Sequence, residues 1–306
     1  MTAFPPALIA IDWGTSNLRA SLLGASGEVI EARAAPGGVM AVKDGRFADA
    51  LLSLCGDWTD LGVAALIASG MVGSRQGWKE AVYLDCPAGI GEAAAQLTRV
   101  DVRPGVTLHI VPGLTCRSAD GHDDVMRGEE TQMWGADLAA GSCCVLPGTH
   151  AKWAWIGRAG QVTHFATYMT GELYGLLTQH GILGRLMTFG QDAPEAFDAG
   201  VRLGLEQSDN ATHVIFAART AGLMGRVAPE GLPDYLSGIL VGIEIASATR
   251  AARPREVVML GDDGLCARYA RALALAGIAS TRAADGATTR GQWRVAQMAG
   301  LLERAP

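Results

Sequence analysis

Asp12 closes the apolar run Leu8-Ile9-Ala10-Ile11, and Trp13-Gly14-Thr15-Ser16-Asn17 follows it before the chain turns apolar again at Leu18. Ile9 and Ile11, then Leu18, Ala20 and Leu22, alternate as strand residues do, so the stretch predicts a hairpin with Asp12 at a strand end. Backbone N–H groups of such a turn converge on one point. With small hydroxyls they cradle a polyphosphate, and a carboxylate beside them holds Mg²⁺, usually through water. A second stretch repeats the pattern: Cys143-Cys144-Val145-Leu146, the turn Pro147-Gly148-Thr149-His150, then Ala151-Lys152-Trp153-Ala154. Two such hairpins fit a duplicated domain in which each half contributes one phosphate loop, without a Walker motif.

Between the hairpins lies Arg127-Gly128-Glu129-Glu130-Thr131-Gln132. Helical spacing starts at Glu129, and acids in a first helical turn are favoured by the helix dipole. The same carboxylates, placed just before a phosphate hairpin, are equally suited to act as general base for a hydroxyl. Cations are available at Arg19, Arg127, Lys79 and Lys152; of 25 basic residues only three are lysines. The glycine-rich turn Ser69-Gly70-Met71-Val72-Gly73-Ser74 follows an apolar run, where open α/β sheets place ligands. Arg75 to Lys79 adds donors and an aromatic wall suited to a polyol or sugar acid. Gly261-Asp262 ends another apolar run, and glycine there lets the backbone pass close beneath an adenine ring.

The elements needed to hold these groups are legible in outline. Glu28 to Ala32 completes a three-stranded meander, and Phe47 to Asp57 reads as an amphipathic helix through Phe47, Leu51, Leu54 and Trp58. Strands are expected over 63–68, 108–114 and 257–260. Helices are expected from Glu129, from Thr170 as cap, over 232–248 and 265–276, with a last one through Trp293 and Val295. The polar stretch 115–124 places the boundary between an N-terminal domain, 1–118, and a C-terminal domain, 119–306.

The chain has 306 residues, 49% of them hydrophobic and 18% charged, which is a globular composition. A net charge of −6 argues against general nucleic-acid binding. No apolar run is long enough to span a membrane, and the N-terminus lacks a signal-peptide pattern, so a cytoplasmic location is expected. Six cysteines show no metal-ligand spacing and read as reduced and structural. Gly89-Ile90-Gly91-Glu92-Ala93-Ala94 imitates a dinucleotide fingerprint, but Pro87 spoils the strand that should precede it.

Taken together, the stretches 11–19, 70–74, 125–132, 147–153 and 169–173 resemble the 2-dehydro-3-deoxygalactonokinase family, within the actin–hexokinase–glycerol kinase superfamily. The resemblance is weakest after about residue 185. It implies an α/β, two-domain actin-like (ribonuclease H-like) fold with duplicated mixed sheets and an interdomain active-site cleft. It also implies ATP- and Mg²⁺-dependent phosphorylation of 2-dehydro-3-deoxy-D-galactonate at its 6-hydroxyl. Mapped onto this sequence, Asp12 would position Mg²⁺ and Gly14, Thr15, Ser16 and Asn17 would surround the β/γ-phosphates. Gly148 and Thr149 would form the second phosphate loop, and Gly261 and Asp262 the adenosine turn.

The catalytic base falls to Glu129 or Glu130, with Glu129 preferred. Gly73, Ser74, Arg19, Lys79, Arg127 and Lys152 become candidates for the substrate or for developing charge. Partners would be a sugar acid and ATP, with no nucleic acid and no membrane; association into a homo-oligomer stays open. The rivals are another sugar kinase of the superfamily, an exopolyphosphatase-like hydrolase, and an ATP-dependent clamp or sugar-sensing regulator.

Overall fold

The computed structural model describes residues 5–118 and 121–302. The chain runs β1 (Pro6–Trp13), β2 (Asn17–Gly24), β3 (Val29–Pro36), α1 (Phe47–Cys55), β4 (Ala65–Ser69), β5 (Tyr83–Asp85), α2 (Ile90–Ala95), β6 (Thr98–Arg103), β7 (Val106–Ile110), β8 (Gly113–Arg117), β9 (Asp123–Met126) and α3 (Glu129–Gly135). It continues through β10 (Cys143–Leu146), β11 (Ala151–Ile156), β12 (Val162–Tyr168), α4 (Thr170–Gln179), α5 (Pro194–Glu206), α6 (Ala211–Ile215), α7 (Ala217–Leu223) and α8 (Leu232–Ala248). The last elements are β13 (Glu256–Met259), α9 (Asp263–Leu275), β14 (Ala279–Arg282) and α10 (Ala287–Met298).

The expected duplication is visible in the sheets. One has the order β3-β2-β1-β4-β7-β6 and the other β12-β11-β10-β13-β14. In each, a central strand pairs antiparallel with the strand after it and parallel with a later one: β1 with β2 and β4, β10 with β11 and β13. Both turns identified in the sequence therefore join the first two strands of a mixed sheet. A small third sheet, β5-β8-β9, carries the chain into α3.

Contacts divide the chain into two compact units. The first runs up to Gly141 and takes back Ile156–His164 and the segment from Ala283 on; the second is Ser142–Trp155 with Phe165–Arg282. The boundary expected at 118/119 is therefore displaced. The reason lies in α3 and α10. A Cβ on Gly135 would overlap the Ala287 carbonyl and one on Gly291 the Thr131 carbonyl, so the two helices touch backbone to backbone. The C-terminal helix also reaches β1 and β4 through Gln292, so α3 and α10 both belong to the first unit.

The first unit's core joins Ile9, Ile11, Leu51, Trp58, Leu108 and Ile110, all at or near zero exposure. Trp13 packs edge-on against Phe47 at 5.6 Å, and Phe47 stacks on Trp78 at 6.0 Å, geometries that aromatic pairs favour. In the second unit, Val145, Trp153, Val201, Ile245, Val257 and Leu273 form the core. There α5 and α8 meet through Gly200 and Gly204 facing Gly238 and Gly242, where any Cβ would meet the opposing backbone. No described helix is long and apolar enough to cross a membrane.

Candidate active site

The first loop is rigid behind and open in front. Asp12 sits opposite Arg19 across β2 and opposite Ser69 on β4. The Gly14 N–H donates to the Asn17 carbonyl at 3.0 Å and closes the turn. Gly37–Val39 backs it: Gly37 N donates to Ser16 O, Val39 N donates to Gly14 O at 3.0 Å, and a Cβ on Gly38 would overlap Thr15 backbone. Thr15, Ser16 and Asn17 are exposed. Asp12 itself is half-buried; burial raises its pKa, opposed by the Arg19 guanidinium 3.3 Å from Oδ2.

A single carboxylate beside a phosphate cradle is the donor set Mg²⁺ takes when nucleotide phosphates and waters complete its shell. Asp12 Oδ1 accepts no hydrogen bond from the described residues, so the residues present fit the ion. The described residues contain no cluster of three or more His, Cys, Asp or Glu side chains that could hold a metal on its own.

Two glycines with left-handed backbone connect this carboxylate to the candidate base. Gly70 (φ +96°) directly follows β4; a Cβ on it would lie 2.8 Å from Trp13 O and 3.7 Å from Asp12 Oδ1. Gly128 (φ +110°) precedes α3, and its Cβ would lie 3.1 Å from the Gly70 Cα. Only glycine keeps this approach free of side chains.

The two acids that follow Gly128 separate cleanly. Glu130 is fully buried; its Oε2 accepts from Gly128 N at 2.7 Å and its Oε1 from Thr131 Oγ1 at 2.9 Å. Burial, reinforced by the neighbouring Glu129 charge, pushes its pKa up to about 7. Glu129 is half-buried and accepts from Arg127 N at 3.1 Å. Glu130 thus caps the loop.

Beside them, the structure brings Gly73, Ser74 and Arg127 together. A Cβ on Gly73 would lie 3.1 Å from Arg127 Nη1. The buried guanidinium lies over the Tyr83 ring at 4.2 Å and donates through Nη2 to Ala81 O at 2.8 Å. Its Nε and Nη1, like Ser74 Oγ, are buried and hydrogen-bond to nothing among the described residues. Lys79 is not part of this group: it is exposed and its Nζ donates to Arg99 O at 2.9 Å.

In the second unit, Gly148 and Thr149 form the turn between β10 and β11. A Cβ on Gly171 would lie 2.8 Å from the Thr149 Cα, and Glu172 N donates to Thr149 O at 3.0 Å, so α4 braces the loop. His150 Nε2 pairs with the Glu172 carboxylate. Lys152 is buried in β11 and its Nζ donates to His150 O at 3.4 Å. Thr170 does not cap α4 as expected. Its hydroxyl donates instead to buried Glu244, which also accepts from Trp153 Nε1 and Tyr269 OH, each at 2.7 Å. Burial raises the Glu244 pKa against those three donors.

Next to Gly148 opens a pocket of about 280 Å³. Asp262 and Gly261 do not line it. Gly261 adopts φ +132°, and Asp262 caps α9 by accepting from Gly264 N and Leu265 N. The lining comes from the helix they start, through Leu265, Arg268 and Tyr269, with Tyr174, Ser237 and Leu240 from α4 and α8. Positions 265, 268 and 269 share a helix face, a spacing already present in the sequence.

The family model described as 2-keto-3-deoxy-galactonokinase matches residues 12–295. The 2-dehydro-3-deoxygalactonokinase of Escherichia coli (strain K12) is 38% identical over 266 residues, 86% of this chain and 88% of that protein. A protein of Rhizobium meliloti (strain 1021), named a probable 2-dehydro-3-deoxygalactonokinase, is 38% identical over 90% of this chain and 91% of its own. A crystal structure from Sinorhizobium meliloti, described as a candidate enzyme of the same name, superposes with a TM-score of 0.83 at 33% identity over 95% of this chain and 96% of that one. Gluconate kinase from Lactobacillus acidophilus shares the fold alone, with a TM-score of 0.50 at 11% identity over 96% of this chain and 89% of that one. The duplicated sheets thus have the fold of an actin-like sugar kinase, and the chain belongs to the 2-keto-3-deoxy-galactonokinase family.

Proposed function

We propose that this protein transfers the γ-phosphoryl group of ATP to the 6-hydroxyl of 2-dehydro-3-deoxy-D-galactonate, a step in galactonate breakdown. The observation that carries the chemistry is the close backbone packing of Gly70 on Gly128. It lies against Asp12 Oδ1 on one side and leads into Glu129 on the other. Phosphoryl transfer asks chiefly for positioning and charge neutralisation, and two carboxylates carried by backbones locked together supply the first.

Glu129 takes the proton of the attacking hydroxyl. The hydroxyl oxygen bonds to the γ-phosphorus as the bond to the bridging oxygen breaks, and ADP leaves. In the first unit the exposed turn Thr15–Asn17 holds phosphate, its Gly14 N–H being closed on Asn17 O; in the second unit the Gly148–Thr149 turn is a phosphate loop. Mg²⁺, held by Asp12, would neutralise the charge developing on the phosphate oxygens. Glu130 keeps the Gly128 loop in place and does not meet substrate.

The substrate's carboxylate goes to Arg127. A buried guanidinium with two unpaired nitrogens is costly unless an anion completes it. Ser74 Oγ provides a further donor there. The nucleoside occupies the pocket lined by Leu265, Arg268 and Tyr269, one helical turn beyond Gly261 and Asp262. Lys79 and Lys152 carry no substrate contact in this assignment. Arg19 opposes the rise that burial gives the Asp12 pKa.

ADP release with Mg-ATP and a panel of acceptors tests the proposal: 2-dehydro-3-deoxygalactonate, its gluconate epimer, glycerol, glucose and no acceptor. Turnover on the first is expected. Turnover only on another acceptor would overturn the substrate, and acceptor-independent phosphate release would overturn the kinase chemistry.

A further inference from the structure

Gln292 is a buried amide from the C-terminal helix with 1% exposure. Its Nε2 donates to the Ile11 carbonyl at 2.6 Å and to Ser69 Oγ at 2.9 Å. Both partners immediately precede residues of the site. The Ile11 carbonyl belongs to the peptide plane that starts Asp12, and Ser69, the register partner of Asp12, is followed by Gly70. One NH₂ group therefore spends both its hydrogens on the ends of β1 and β4, where the site begins.

The same helix holds α3. Arg290 Nε donates to Gly135 O at 2.9 Å, and Arg294 Nη1 donates to Trp134 O at 2.7 Å. A Cβ on Gly291 would overlap the Thr131 carbonyl, two residues after Glu129. Gln292 thus lies on the one turn of α10 that touches α3 on one side and the β1–β4 ends on the other.

We propose that Gln292 is a positioning residue, whose amide fixes Asp12 and Gly70 in register with the helix that carries Glu129. The proposal rests on the assignment of Asp12 and Glu129 given above. A donor at this point sets the direction of the Asp12 peptide, and a displacement of about 1 Å at a reacting geometry is enough to cost about 100-fold in rate. Hydrophobic side chains of similar length fill the same space without setting that direction.

Gln292→Met keeps length and removes both hydrogens; Ser69→Ala removes one acceptor and leaves the other. The assay reads kcat, KM for each substrate, and the Mg²⁺ concentration needed for ADP to raise the Tm. Gln292→Met is expected to lower kcat about 10- to 100-fold and to raise the Mg²⁺ requirement several-fold, with the sugar-acid KM within about threefold of wild type. Ser69→Ala should move both readouts in the same direction by less.

Wild-type kcat and Mg²⁺ requirement in Gln292→Met, with only the Tm lowered, would overturn the proposal, since packing alone predicts that pattern. If Gln292→Met does not fold, Ser69→Ala decides on the same two readouts, and wild-type values there overturn it. Asp12→Asn is assayed alongside. Undiminished turnover in that variant would overturn the site assignment and this proposal with it. Loss in Asp12→Asn with wild-type behaviour in Gln292→Met would overturn this proposal alone.

Discussion

Gly128 faces Gly70 across the start of α3 so closely that a Cβ on Gly128 would stand 3.1 Å from the Gly70 Cα, and both residues hold positive φ. Alanine at either position meets a conformational cost of about 1–2 kcal/mol and forces apart the backbones that lead to Asp12 and Glu129. Gly128→Ala is expected to fold with a lowered Tm and to lose about 100-fold or more in kcat. Wild-type kcat in the folded variant would show that the close Gly70–Gly128 packing is not needed for the chemistry.

Asp12→Asn preserves the shape of the hairpin end and removes the negative charge. Turnover should fall by orders of magnitude, and ADP should cease to raise the Tm in a Mg²⁺-dependent way. The Arg19–Asp12 pair is exposed, at 61% and 33%, so its loss should barely change stability. A variant that keeps its Mg²⁺-dependent shift places the ion elsewhere.

Glu129→Gln should abolish most turnover while leaving the Tm close to wild type. Glu130→Gln should do the reverse, because its carboxylate serves Gly128 N and Thr131 Oγ1. The sign of the pH effect follows from the raised pKa of Glu130, about 7 in the fold against an ordinary value of 4.5. The unfolded chain gives up that proton first, so stability is fullest below about pH 4.5 and declines as pH rises towards 7. Denaturant midpoints measured across that window should slope downwards in wild type and flatten in Glu130→Gln. An unchanged slope would mean that another group sets it.

Arg127→Gln removes the one buried guanidinium beside Ser74 and Gly73. The KM for the sugar acid should rise by about 10-fold or more while the KM for ATP stays near wild type, as a charge-assisted contact worth about 1.5–3 kcal/mol requires. A fall in Tm with both KM values unchanged would reduce Arg127 to a strut on Tyr83.

Leu265→Ala widens the pocket beside Gly148 without touching Asp12 or Arg127. Here the KM for ATP should rise several-fold and the sugar-acid KM should not. The opposite pattern would move the nucleoside out of that pocket.

Much of the site was legible because its chemistry is carried by contiguous residues. The run from Asp12 to Asn17 and the run from Pro147 to Lys152 each contain their own turn, and local alternation of apolar residues is enough to make each a hairpin. The candidate acids Glu129 and Glu130 were legible for the same reason. What separates them is not local. Glu130 is fully buried under the Gly128 loop while Glu129 stays half-exposed, and adjacent identical residues on one helix turn differ only by what packs above them.

The remaining departures have the same origin. Thr170 begins a helix but spends its hydroxyl on Glu244, a residue distant in sequence whose carboxylate only the packed second unit delivers. Lys79 carries the right charge beside a glycine loop, yet reaches a carbonyl of β6 because that strand lies within its length. The boundary at 118/119 fails because α10, last in the chain, packs on α3 through glycines and reaches β1 and β4 through Gln292. Sequence by itself determined the two glycine-turn hairpins, the adjacent acids and the family, since each depends on neighbours along the chain. Tertiary structure alone decided which acid is fully buried, which cation is buried with two nitrogens unbonded, and that Gln292 grips β1 and β4. Burial and hydrogen-bond partners are properties of elements brought together, and no local pattern contains them.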